Sequence, residues 1–119
     1  MSCLLVGALM VMLDGPDFSL RWTHSVERSA WREDWRVEGD HLRLVRAAVK
    51  GSGAGMESGE GAILRDGWYE WAPTPPPVPE LILAASGATG GGWQLCAGPG
   101  ACRELGATGS APLHLRPCP

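Results

Sequence analysis

A chain of 119 residues with a formal net charge of -3 and a 45% hydrophobic share is one domain, residues 1–119, with enough apolar material for a core. The acidic balance supplies no footprint for nucleic acid or an anionic membrane, and six tryptophans argue against disorder. Trp supplies the aromatic bulk, since Phe and Tyr occur once each, and a buried indole needs a partner for its N–H.

The stretch from Met1 to Leu13 is apolar, but no Lys or Arg precedes it and no small-x-small cleavage site follows. It is also shorter than the ~20 residues of a membrane span. The reading is therefore two short strands, Cys3–Val6 and Leu9–Leu13, broken near Gly7-Ala8 and ended by Asp14-Gly15-Pro16. Without a leader or a span the expected location is the cytoplasm, up to the membrane surface, with the periplasm left open.

Phe18–Glu27 alternates as a half-buried strand, with Phe18, Leu20, Trp22, His24 and Val26 on one face. A histidine stands where a core residue is expected, and a buried imidazole must find a hydrogen-bond partner. Strands at Trp31–Val37 and Leu42–Lys50 follow. The one window long enough for a helix, Ser25–Val37, is charged on every side and ends in a turn. A connection over Glu27–Ala30 sets Val26 opposite Trp31, His24 opposite Glu33, Trp22 opposite Trp35 and Leu20 opposite Val37, all on one face. A tighter turn at Ser29-Ala30 would instead pair Val26 with Glu33. Gly39-Asp40 is a two-residue hairpin signal. It sets Val37 against Leu42, Trp35 against Leu44 and Glu33 against Arg46.

His24, Glu33 and Arg46 then form a row bracketed by Trp22 and Trp35. A lone carboxylate among tryptophans is desolvated and tends to protonate. Between Arg46 and His24 it stays ionised, and its charge favours the imidazolium. Such a cluster is either a specificity device of the core or the floor of a ligand site. His24 and Ser25 point to opposite faces, so they are no nucleophile–base pair.

Gly51, Ser52, Gly53, Ala54 and Gly55 form a candidate loop that lacks the third glycine of a dinucleotide fingerprint and the Lys-Ser or Lys-Thr of a P-loop. Its reading is a turn-forming loop, with a backbone anion nest as the minor alternative. Trp68–Trp71 is a short strand, Pro73–Pro79 a stiff connector inside the domain, and strands follow at Glu80–Ser86, Trp93–Ala97, Ala101–Leu105 and Pro112–Arg116. Many short strands with Gly and Pro turns predict an all-β fold, a small antiparallel sandwich or partly open barrel built from hairpins.

None of the four cysteines forms a C-x-x-C, so no metal site is expected, and no cofactor signature is present. Around Gly98-Pro99-Gly100, Cys96 falls opposite Cys102, within disulfide reach. Cys3 and Cys118 can pair only if the first and last strands meet.

The runs Arg21-Trp22-Thr23-His24-Ser25-Val26-Glu27, Trp31-Arg32-Glu33-Asp34-Trp35-Arg36-Val37 and Lys50-Gly51-Ser52-Gly53-Ala54-Gly55-Met56 resemble the family called domain of unknown function 1850. So do Asp66-Gly67-Trp68, Ser86-Gly87-Ala88-Thr89 and Trp93-Gln94-Leu95-Cys96. The resemblance implies a small bacterial protein encoded beside a TRAP-type (TAXI) transporter permease, some relatives carrying an amino-terminal membrane anchor. It supplies no catalytic residues. The expectation is a non-enzymatic accessory or binding module acting with the permease or its substrate. The alternative is a small-molecule enzyme using Glu33 and His24 for acid–base work.

Overall fold

A computed structural model describes residues 2–23, 30–50, 61–83, 92–98, 101–106 and 111–119. These residues build two antiparallel sheets, with no helix among them. The strands are β1 (Ser2–Val6), β2 (Leu9–Leu13), β3 (Asp17–Thr23), β4 (Ala30–Glu38), β5 (His41–Lys50), β6 (Ile63–Arg65), β7 (Trp68–Trp71), β8 (Leu81–Leu83), β9 (Trp93–Cys96), β10 (Cys102–Leu105) and β11 (Leu113–Pro117). A four-stranded sheet runs β2-β1-β11-β8 and a seven-stranded sheet runs β10-β9-β3-β4-β5-β7-β6. The fold is all-β and sandwich-like, and the barrel does not close.

Tight turns set the hairpins. Gly39, with φ of 62°, occupies the first turn position between Glu38 and His41, a conformation that glycine adopts without a Cβ clash. Asp66 and Gly67 both have positive φ and join Arg65 to Trp68, which is the type I′ pattern favoured by Asp-Gly. This hairpin adds the strand β6, which the sequence reading passed over. The proline connector is tied down by Val78, whose N–H and C=O bond to Leu42 at 2.9 and 2.7 Å. From Pro75 to Pro79, Val78 alone has an N–H to give.

The core lies between the sheets. Leu4, Val6, Val11, Leu13, Leu83 and Leu115 come from the smaller sheet and meet Phe18, Leu20, Trp35, Leu42, Leu95 and Leu105 from the larger. Alternation along each strand places these residues inward.

The β3–β4 ladder corrects the expected register. Trp22 faces Trp31, Leu20 faces Glu33 and Phe18 faces Trp35. The slip is four residues along β4, an even number, so every side chain keeps its face while its partner changes. On β5 the expected pairs Val37–Leu42 and Trp35–Leu44 are present, but a bulge at Asp34/Trp35 then leaves Val45 unpaired. Arg46 therefore pairs with Asp34, and Glu33 faces Ala47. Glu33 and Arg46 are not cross-strand neighbours. The bulge moves the guanidinium to the outer face and brings Ala47 and Val49 inward, where they are buried.

Candidate functional site

The expected row of His24, Glu33 and Arg46 is not assembled. His24 lies outside the described residues, and the ladder position opposite Glu33 belongs to Leu20. The candidate loop Gly51, Ser52, Gly53, Ala54 and Gly55 also lies outside them. What remains on the inner face is Glu33 among apolar neighbours. Its Oε1 accepts a bond from the Trp35 indole N–H at 3.3 Å, and among the described residues no cation pairs with it. Burial pushes its carboxyl above the usual range, and the indole bond opposes that only in part.

Tryptophans line the same face. Trp22 stacks on Trp31 at 6.3 Å between ring centroids, packs on Trp93 at 4.8 Å, and Trp31 meets Trp71 edge-on at 6.4 Å. The Trp31 indole N–H is buried and has no hydrogen-bond partner among the described residues, a cost this aromatic packing must offset. Trp35 belongs to the core itself, and Trp22 packs against it.

The outer face of the larger sheet carries charge. Arg32 of β4 bonds to Glu70 of β7, lies 3.4 Å from Asp34 and sits over the Trp68 ring at 5.2 Å. The Arg32 hydrogen bond holds the Glu70 carboxyl below its ordinary range. Arg36 pairs with Asp17 at 2.9 Å and Arg43 with Glu38 at 2.8 Å. Beside this network a depression of about 480 Å³ opens over β3, β4 and β5, lined by Ser19, Arg21, Asp34, Arg46 and the Cys96–Cys102 pair. Desolvation raises the Asp34 carboxyl despite the opposing charges of Arg32 and Arg46.

Arg21 and Arg46 are exposed, and among the described residues neither has a carboxylate at ion-pair distance. An unpaired guanidinium fork presents parallel donors that fit a carboxylate or phosphate. The sequence reading missed Arg21 and Asp34 because alternating charge on a strand's outer face ordinarily marks only a solvated surface. Their signal was positional, a cross-strand neighbourhood that needs the register.

Both disulfides are cross-strand. Cys96 and Cys102 are opposite on β9 and β10 with Cα atoms 4.0 Å apart. Cys3 bonds to Cys118 with Cα atoms 5.5 Å apart, because β1 and β11 pair. Among the described residues no group of three His, Cys, Asp or Glu side chains is placed to hold a metal ion. No helix among them is long and apolar enough to cross a membrane.

No curated protein and no solved structure matches this chain. A family model described as a domain of unknown function, DUF1850, matches residues 18–105. That span runs from β3 to β10 and contains the larger sheet and its groove except for Asp17, while β1, β2 and β11 lie outside it. On a match over most of its length, the chain belongs to the DUF1850 family.

Proposed function

We propose that this chain is a non-enzymatic binding module, an accessory of a TRAP-type (TAXI) transporter, that holds a small anionic solute in the outer-face groove. The observation that carries the binding role is the pair Arg21 and Arg46, which among the described residues have no carboxylate at ion-pair distance and which line one depression. Three guanidiniums, of Arg21, Arg36 and Arg46, stand there against the carboxylates of Asp17 and Asp34. The balance favours an anion. The family resemblance supports the transporter as partner.

Titration calorimetry with mono- and dicarboxylates and inorganic phosphate tests the site. Arg21→Met and Arg46→Met should each weaken binding by about tenfold or more, the weight of one charge-assisted contact, with the melting temperature unchanged. Failure of all these anions to bind would overturn the reading. Co-purification with the neighbouring permease tests the partner.

The two disulfides take up all four cysteines and support work in an oxidising compartment, the periplasm of a two-membrane bacterium. Thiol counting on protein from acid-quenched cells would decide the compartment. A second reading, acid–base chemistry, is favoured by the raised carboxyl of Glu33. A substrate conversion lost in folded Glu33→Gln would select it.

A further inference from the structure

The free edge of the smaller sheet is unused by the groove. There β2 is the outermost strand, and among the described residues no backbone pairs with its far side. Exposed edges are ordinarily kept short or charged, because their unpaired N–H and C=O groups accept another strand. The other described edges comply. β6 and β8 have three residues each, and β10 carries Arg103 and Glu104. β2 has five residues and holds no charge, glycine or proline. Met10 is 58% exposed, Met12 57% and Leu9 39%.

The strand reads the same in both directions: Leu9-Met10-Val11-Met12-Leu13. An antiparallel copy centred on Val11 opposes Leu9 to Leu13, Met10 to Met12 and Val11 to itself. Side-chain size then matches at every position. Each residue also keeps its face, with Met10 and Met12 outward beside Leu5, and Val11 and Leu13 toward the core. Centring on Met12 instead would oppose Met10 to Asp14, and centring on Met10 would spend Leu13 on Gly7. The self-complementary register is singled out by the sequence.

We propose that β2 is an interface for a second copy of this chain, which joins two four-stranded sheets antiparallel across a two-fold axis at Val11. A five-residue strand pair with its methionines is smaller than a standard protein interface. The dimer therefore forms in a concentration-dependent manner.

Sedimentation velocity on the oxidised full chain over a concentration series tests this, with two double variants at the exposed methionines. Met10→Lys with Met12→Lys opposes lysine to lysine in this register. Met10→Lys with Met12→Glu opposes lysine to glutamate twice. The unmodified chain should move from monomer to dimer mass as concentration rises. The double-lysine variant should stay monomeric with an unchanged melting temperature. The lysine–glutamate variant should dimerise, and lose dimer as salt is added. A chain monomeric at all concentrations, a dimer indifferent to the double lysine, or a lysine–glutamate variant that stays monomeric would overturn the proposal. So would a monomer that instead floats with phosphatidylglycerol vesicles, which would assign the edge to lipid.

Discussion

Removing the Cys3–Cys118 disulfide should cost far more stability than removing Cys96–Cys102, although both join neighbouring strands. The separations are 115 and 6 residues. In the chain-entropy model the cross-link restricts the unfolded chain by an amount that grows with the logarithm of the loop. That gives about 4.8 kcal/mol for the long closure and about 2.2 kcal/mol for the short one. Cys118 also donates its N–H to the Cys3 carbonyl at 3.1 Å, so the bond locks a ladder position already in register. The assay is equilibrium urea denaturation of the oxidised protein against Cys3→Ala/Cys118→Ala and Cys96→Ala/Cys102→Ala. Cys96 is the more buried residue of its pair, and its loss adds a small cavity cost to the short-loop variant. That bias works against the expected order. A long-loop variant no less stable than the short-loop one would show that loop entropy does not govern this fold, or that Cys3 and Cys118 are not joined.

Other expectations follow from the same geometry. Glu33 has a raised folded-state carboxyl pKa, so the stability tied to its proton is full below the unfolded value and is lost as pH rises through the folded one. Glu33→Gln should remove that loss and make the protein more stable at neutral pH, and thermal melts from pH 4 to 8 check it; an unchanged pH profile would contradict the burial. Glu70 runs the other way: its lowered carboxyl contributes stability above the unfolded value that fades as pH falls. Arg32→Met should cost about 1–3 kcal/mol by leaving the half-buried Glu70 without its donor, read by denaturation and by a changed Trp68 environment in fluorescence. Leu20→Ala, at a fully buried position between the sheets, should cost about 2–5 kcal/mol in the same denaturation assay.

Most strands were legible because alternation and turn chemistry act locally. Cys3–Val6, Leu9–Leu13, Trp31–Val37 and Leu42–Lys50 each carry an apolar face and a punctuating turn, and each overlaps a strand of the structure. Asp66-Gly67 was equally readable. The strand before it is only three residues long, Ile63-Leu64-Arg65, too short to show the alternation by which a strand is read. The candidate cluster failed for a different reason. Alternation fixes which face a residue occupies, and two registers that differ by an even slip satisfy it equally. Leu20 can face Val37 or Glu33 without any side chain leaving the core face, so only the length of the β3–β4 connection decides. The observed ladder stacks Trp22 on Trp31 and sets Asp17 beside Arg36, which it bonds.

The bulge had left a trace: the inward positions change from Leu42 and Leu44 to Ala47 and Val49, even to odd, and one unpaired residue must absorb the change. A regular ladder would have turned the Arg46 guanidinium inward, where desolvation is costly. With Val45 as the spare residue, Arg46 faces outward beside Asp34 and lines the groove. The same irregularity that dissolves the inner ionic row thus supplies a cation to the outer face. A charge expected to neutralise Glu33 becomes one that an external anion can use, while Glu33 keeps a raised carboxyl against Trp35. One consequence is measurable. The two faces should respond independently, so Glu33→Gln should change the pH profile of stability without changing anion affinity, and Arg46→Met should weaken the anion while leaving the Glu33 titration where it was, although Asp34 and Glu70 lose a nearby cation. An anion affinity moved by Glu33→Gln, or a Glu33 titration moved by Arg46→Met, would show that the faces are coupled through β4.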